Sequence, residues 1–324
     1  MTQSGTQDHI RRFIRRYGTA IGGLLIFIGF AVTTPYFFTA RNFVLILKQM
    51  SMLTITSLGF TFVMAAGGFD MSIGFAMGLM NVFLASVLNA TGSLALAIMA
   101  ALGTGLAVGA INGALVAYLG LPDFIATFAV GSVTYGAKML YSGGHPVFIH
   151  HPPAAFLTIG QGCVGPVPVP VFIMLGILVV SLIVLNRTRF GRHIYAIGGN
   201  PMAAVYAGIN VRRKRFYTFL ISGLSVGITA VVLTSRLGSG QPEAGENFLL
   251  DVISVCFLST TMFGEGEPTG IGAFVGAFII TMLNNGLTML NVPYHVQYIT
   301  KGVVVIFAVM LSVLLGQRVR IKFL

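Results

Sequence analysis

Residues Met64 to Phe75 read MAAGGFDMSIGF. The stretch sets a formal charge, Asp70, among glycines and a serine, inside sequence otherwise fit for lipid. The apolar runs on either side, Phe43 to Met64 and Met71 to Asn89, are each close to the roughly 20 residues a helix needs to cross the hydrocarbon layer. The glycine pair Gly67-Gly68 weakens a helical interior. The stretch therefore reads as a break between two membrane spans.

The rest of the chain agrees with this reading. Its 324 residues are 56% hydrophobic and 8% charged, with a mean hydropathy of +0.90, whereas a soluble domain carries about 25% charged residues. A large soluble core would leave its helices polar outer faces at a 3.6-residue period, and the long runs show none. Outer-membrane strands would alternate polar and apolar residues, and LLIFIGFAV does not. The expected fold class is an all-α polytopic membrane protein of about ten transmembrane helices, some broken or short. The spans are Thr19 to Thr34, Phe43 to Met64, Met71 to Asn89, Leu94 to Leu119, Phe124 to Tyr141, Val169 to Asn186, Phe216 to Thr234, Phe248 to Met262, Gly270 to Leu290 and Val296 to Leu315.

Basic residues set the orientation. Arg11, Arg12, Arg15 and Arg16 precede the first span. Arg187, Arg189, Arg192, Arg212, Arg213, Lys214 and Arg215 fill one loop, and Arg318, Arg320 and Lys322 follow the last span. An even number of spans places these groups on one side, which the positive-inside rule makes the cytoplasm. The expectation is one transmembrane domain over 1–324, with a cytoplasmic basic N-terminus at 1–18, a cytoplasmic loop at 187–215 and both termini cytoplasmic. The net charge of +11 then needs no nucleic acid to explain it. TTPYFF offers no small-residue cleavage site, so the first span is read as uncleaved. Cys163 and Cys256 provide neither a disulfide framework nor metal-ligand spacing.

No catalytic pattern stands out. The chain has no His-Glu-x-x-His helix, no Gly-x-Ser-x-Gly elbow and no phosphate-binding loop. His145, His150 and His151 in HPVFIHHPP have no nearby carboxylate and sit among prolines, so a loop role is expected and no metal site. Asp70 has two readings. With Ser72 it can cap the next helix by accepting free backbone N–H groups, or it can touch a transported solute, since intramembrane carboxylates face protein or water-filled paths.

The basic loop NRTRFGRHIYAIGGNPMAAVYAGINVRRKR holds a short helix with clear punctuation: Asn200 as cap, Pro201 at the first helical position and Gly208 just past the end. A helix under about 12 residues is marginal alone in water, so it needs a docking partner or its own membrane domain to pack on. Gly105, Gly109 and Gly113, and again Gly272 and Gly276, recur four apart, a spacing that lets helices pack closely.

The order of FFTARNF, GGFDMSIG, FIATFAVGSVTYG, TRFGRHIYAIGGNPMAAVYAGINV, SGQPEAG followed by Asp251, LNNGLTML and VQYITKGVVVIFAV resembles the membrane permease subunit of ribose, galactose, xylose and arabinose type bacterial sugar ABC importers. The resemblance implies an inner-membrane permease, not an enzyme, that moves a sugar or related polyol by alternating access. Its implied partners are a cytoplasmic ABC ATPase that consumes ATP with Mg, a periplasmic sugar-binding protein and a second permease subunit. It makes the helix from Pro201 to Ala207 a coupling helix, with Ala204 on it and Gly198, Gly199 and Asn200 shaping its entry. It also places Gly68, Asp70, Ser72, Phe124 and Thr127 in motifs around the solute path, which is expected to carry hydroxyl, amide and aromatic groups without fixed charges. LSTTMFGEGEPTG departs from the glycine-rich run usual in that family and introduces Glu265 and Glu267, which raises pairing with a different permease. The rival from another class is a channel or ion-coupled transporter using Asp70, Asp123 or Asp251 as ion sites.

Overall fold

A computed structural model describes residues 27–34, 36–262 and 266–314, with Gly23. The expected cytoplasmic N-terminus at 1–18, the basic group Arg318, Arg320 and Lys322, Glu265 and most of the first expected span lie outside the described residues; residues 27–33 of that span are helical. Beyond them the chain forms α1 (Ala40–Ala65), α2 (Ile73–Thr91), α3 (Leu94–Gly113) running on into a π turn (Ala114–Tyr118), α4 (Asp123–Ser142), α5 (Ala154–Gln161) and α6 (Val169–Arg187). These are followed by α7 (Arg189–Gly199), α8 (Pro201–Tyr206), α9 (Val211–Leu237), α10 (Glu246–Met262), α11 (Gly270–Met289) and α12 (Tyr294–Leu314). Sheet is confined to two short antiparallel pairs among the described residues: β1 (Val147–Phe148) with β4 (Ser239–Gly240), and β2 (Cys163–Val164) with β3 (Val167–Pro168).

Six stretches among the described residues are long and apolar enough to cross a membrane: α1, α2, α3 with its π turn, α6, α9 and α11. The chain is thus a multi-pass all-α membrane protein. Helices α4, α10 and α12 coincide with three further expected spans but fall outside that group; α10 has only 17 residues.

Local chemistry sets the helix starts. Thr39, Ser93, Thr188, Asn210 and Thr269 each accept a backbone N–H from the first turn of α1, α3, α7, α9 and α11, which satisfies donors a helix leaves orphaned. Helices α2, α4 and α9 end on Gly92, Gly143 and Gly238 in the left-handed conformation that glycine tolerates best.

The glycine spacing read from the sequence is a packing device. A side chain on Gly105 would strike the Gly223 carbonyl of α9, and one on Gly223 would strike the Gly105 carbonyl. A Cβ on Gly109 would sit 2.5 Å from the Phe219 carbonyl oxygen. Gly272 and Gly276 lie against Ser259 and Val255 of α10, where added Cβ atoms would come within 2.8 and 2.9 Å. Without hydrophobic drive between helices in lipid, such close approach supplies the association energy through dispersion.

Two stretches inside the bundle are not helical. Residues 66–72 join α1 to α2, and turns at 242–245 precede α10. The second stretch lies in a groove on α2: a Cβ on Gly74 would meet the Gly245 carbonyl at 2.9 Å, and one on Gly78 would strike the Pro242 carbonyl. The spacing of Gly74 and Gly78 is visible in the sequence, but its partner is not.

Candidate functional site

The non-helical joint 66–72 runs alongside α4. Asp123, in the first turn of α4, accepts the Phe69 N–H at 3.2 Å. Thr127, one turn on, accepts the Met71 N–H at 2.9 Å and donates to the Asp123 carbonyl at 2.7 Å. These bonds satisfy backbone that has no helical partner, the condition for irregular chain at membrane depth. A Cβ on Gly68 would come within 2.7 Å of the Asp123 carboxylate, so the glycine permits the approach.

Asp70 is buried with Ser72, Asn112 and Ser222. Its Oδ1 accepts the Ser72 N–H at 3.0 Å, the Ser72 hydroxyl at 2.6 Å and the Asn112 amide at 3.4 Å. Its Oδ2 accepts the Ser222 hydroxyl at 2.8 Å. Asn112 also donates to Ser72 Oγ at 2.8 Å. The carboxylate thus ties the joint to α3 and α9. The capping expectation changes in detail: Ser72 occupies the cap position of α2 and makes no side-chain cap bond, because its hydroxyl turns back to Asp70. The sequence reading missed Asn112 and Ser222. Asn112, a lone amide in the apolar span of α3, was the available signal.

Thr127 is buried in the joint, whereas Phe124 points outward, 46% exposed, and stacks on Phe128 with ring centroids 6.3 Å apart. The five sequence-predicted path residues therefore gather at one end of the bundle. None of them lines either of the two cavities described below.

Helix α8 follows α7, whose Gly198 backs onto this joint, 3.4 Å from where a Cβ on Gly67 would sit. Asn200 caps it as read, accepting Met202 and Ala203 N–H groups at 3.1 and 3.2 Å, Pro201 is first, and Gly208 follows with φ of +77°. The helix stops at Tyr206 with Ala207 as its cap, one residue short of the expected Pro201 to Ala207. Ala204 is 3% exposed and faces its own chain, while Met202, Val205 and Tyr206 are 59%, 52% and 84% exposed. Met202, Val205 and Tyr206 are thus the large side chains of the outward face, with Ala204 behind them.

A second helix, α7, precedes it where the sequence reading had placed loop. Phe190, Ile194 and Ile197 were the signal, apolar at i, i+4 and i+7. Ile194 is buried in a cluster with Phe62, Ala65, Ala66 and Leu185. A Cβ on Gly198 would strike the Ala65 carbonyl at the end of α1, which explains a glycine there; Gly199 is the last residue of α7. Tyr195 donates to the Pro268 carbonyl at 2.8 Å, and burial, with Glu267 nearby, pushes its phenol up to about 12, so it remains a donor at neutral pH.

Two ion pairs sit at Asp123 and Asp251. Arg215 Nη2 contacts Asp123 Oδ2 at 2.6 Å. Lys301 Nζ lies 2.9 Å from Asp251 Oδ1, and Asn284 donates to Asp251 Oδ2 at 3.0 Å. A third pair was not anticipated: Lys138, fully buried in α4, lies 2.8 Å from Glu246 and 4.7 Å from the Tyr135 ring centroid. It ties the start of α10 to α4.

Two cavities lie between α1 and α11. One of about 520 Å³ at the Ala40 end includes Thr39, Asn42, Asn285 and Thr288 in its lining, with Tyr36 and Arg41. The other, about 210 Å³, is lined by residues including Arg236, Asp251, Thr281 and Asn284. Gln49 lines both. These linings carry charged groups as well as the amides and hydroxyls expected of a path.

His145, His150 and His151 are exposed loop residues, and the described residues hold no cluster of metal-ligating side chains. Cys163 is exposed and Cys256 buried, and both are free.

Residues 42–314 match the family described as "Branched-chain amino acid transport system / permease component". The chain is 33% identical over 320 residues to the ribose import permease protein RbsC of Haemophilus influenzae, covering 98% of this chain and 99% of that protein. It is 31% identical to the L-arabinose ABC transporter permease protein AraH of Azospirillum brasilense, over 92% of this chain and 88% of that one. It is 32% identical to the D-allose transport system permease protein AlsC of Escherichia coli, over 94% of both. No solved structure matches the chain. A multi-pass helical fold and a family match across most of the sequence agree: the chain belongs to this family of transport-system permease components and is a transport subunit, not an enzyme.

Proposed function

We propose that this chain is the permease subunit of an ATP-driven importer that moves a sugar or related polyol across the bacterial inner membrane by alternating access. The observation that carries the reading is the α7–α8 hairpin. It presents Met202, Val205 and Tyr206 to solvent while its base packs on the end of α1, the arrangement needed to pass force from a soluble partner to the membrane domain. Relatives named for ribose, arabinose and allose transport support the substrate class. A channel or ion-coupled carrier would have no use for such a hairpin. Two of the acids it would employ, Asp123 and Asp251, are already paired with Arg215 and Lys301.

In this reading the chain is one transmembrane domain of about ten spans. The hairpin and both termini are cytoplasmic, as the basic residues direct. A cytoplasmic ATPase using ATP and Mg seats on α8, a periplasmic sugar-binding protein delivers the solute at the opposite face, and a second permease, identical or different, completes the unit in the lipid. Gly68, Asp70, Ser72 and Thr127 shape the joint through which movement of the hairpin reaches the bundle, and Phe124 lies on its outer side.

Reconstitution with the ATPase and binding protein in liposomes tests this, using radiolabelled ribose, arabinose and allose. Uptake is expected only with internal ATP. Uptake without ATP that collapses with a proton or sodium gradient would replace the reading with the ion-coupled one. Counting distinct permease chains in the purified complex settles the pairing.

A further inference from the structure

Glu246 opens α10 deep in the bundle. Its Cα packs beside Gly74, where an added Cβ would meet it at 3.3 Å. From Gly74, α2 runs on to Thr91, about 26 Å at 1.5 Å per residue, so the carboxylate stands well below the surface of the hydrocarbon layer. A charge at that depth turns to protein or to water, and Glu246 turns to both. Its Oε1 takes the Lys138 ammonium at 2.8 Å while its side chain stays 34% exposed. Its Oε2 has no hydrogen-bond partner among the described residues.

Asn247, the next residue, is also partly exposed. Its Oδ1 accepts the phenols of Tyr294, at 2.6 Å, and Tyr298, and its amide N–H groups have no acceptor among the described residues. A free acceptor and a free donor thus stand on consecutive residues, close to Tyr135 and Tyr294, which are 40% and 59% exposed. Two neighbouring hydroxyls match this set. One donates to the carboxylate while the other accepts from the amide, and the rings cover the C–H side of the same molecule. Lipid chains would meet neither polar group. A bare cation would find one carboxylate whose charge Lys138 already meets.

Lys138 makes the arrangement rigid. Its side chain is fully buried, and its ammonium lies 4.7 and 5.7 Å from the ring centroids of Tyr135 and Phe75, surroundings that hold a cation in place. The Gly245 carbonyl, set against Gly74, fixes the head of α10 from the other side. We propose that Glu246 and Asn247 bind hydroxyls of the transported solute on this face of the permease, and that Lys138 is the positioning residue that holds Glu246 ready. The proposal rests on the importer reading for the identity of the solute. The remaining wall of the route belongs to the second permease of that reading.

The test uses the assembled transporter in liposomes with Cys163→Ser as background. A small membrane-impermeant thiol reagent, added from the side of the Thr91 end of α2, is expected to label Tyr135→Cys. Leu140→Cys, 89% exposed but about 140° around α4, is expected to stay unlabelled under lipid. Uptake from binding protein saturated with labelled ribose, arabinose or allose reads the contact itself. Glu246→Asp keeps a charge for Lys138 and draws the carboxylate back by a methylene, so it is expected to change the ratio of uptake among the sugars at unchanged Tm. Lys138→Met alone frees the carboxylate and is expected to shift that ratio in the same sense. The double variant Lys138→Met with Glu246→Gln leaves no orphaned charge and is expected to fold and to lose uptake by about tenfold or more, as loss of a charge-assisted hydrogen bond implies. An unlabelled Tyr135→Cys, or wild-type uptake and sugar ratio in the double variant, would overturn the proposal. A uniform loss for all sugars with a lowered Tm would overturn it too, by assigning the pair to the fold alone. Absence of uptake by the wild-type complex for all three sugars would count against the importer reading, while an unlabelled Tyr135→Cys would still overturn this face.

Discussion

Arg215, near the start of α9, holds Asp123, at the start of α4, through a single guanidinium nitrogen 2.6 and 2.7 Å from the two carboxylate oxygens. Asp123 in turn accepts the Phe69 N–H. The α7–α8 hairpin leads into α9, so this pair places one salt bridge between the hairpin and the non-helical joint at Asp70. Asp123→Asn and Arg215→Gln are each expected to lower ATP-driven uptake with the complex still assembled. The exchange Asp123→Arg with Arg215→Asp should recover part of it. Removing one partner of a mostly buried pair costs about 1 to 3 kcal/mol after allowance for solvent at this depth, to be read as a lower Tm in detergent. An exchange no better than the single variants would show that the pair does not carry the movement.

Asp70 accepts bonds from Ser72, Asn112 and Ser222 without a cation bonded to it among the described residues. Asn keeps one acceptor oxygen for Ser72, and the Ser222 hydroxyl can rotate to accept from the new amide. Asp70→Asn is therefore expected to change stability by under about 1 kcal/mol, whereas Asp70→Ala strands buried donors at about 2 to 4 kcal/mol. Thermal unfolding of the purified protein measures both. Loss of transport by Asp70→Asn at normal Tm would mean that the charge itself is used.

Gly78 is faced by the Pro242 carbonyl, while Gly176 on α6 has open space where a Cβ would go. Gly78→Ala should force the 242–245 turns off α2 and cost about 1 to 3 kcal/mol, as overpacking does. Gly176→Ala should gain up to about 1 kcal/mol from the helix interior. The two have the same chemistry and opposite signs. Midpoints of thermal denaturation compare them, and equal effects would contradict the packing described.

Met202→Asp and Tyr206→Asp alter the exposed face of α8 and are expected to release a copurifying ATPase while the permease stays folded. Ala204→Arg differs in kind: the side chain has no room behind the helix, so it should disrupt the hairpin itself. Limited proteolysis between Asn200 and Asn210 distinguishes the outcomes, with new cleavage expected only for Ala204→Arg.

What could be read from the sequence was what is local. Apolar run length marked the six stretches long and apolar enough to cross a membrane, and the cap, proline and glycine around α8 gave its limits to within a residue, because those signals act over a few positions. The partners of Asp70 could not be read: Asn112 and Ser222 stand 42 and 152 positions away, and only packing of three helices joins them. Lys138 bore the same signal as Asp70, a charge inside an apolar stretch, yet its partner Glu246 is 108 positions on. Helix α7 was hidden by its arginines, which outweighed the spacing of Phe190, Ile194 and Ile197. The cavities by Gln49 arise from gaps between helices, which no single segment encodes.

The contact of Gly105 with Gly223 sets a mechanical limit. Two helices that meet backbone to backbone have no rotamers between them to absorb sliding, and protein interiors resist compression. Helices α3 and α9 must then travel together as a keel. Any rearrangement that opens one face and closes the other has to be taken up elsewhere, in elements held to that keel by side chains that can let go.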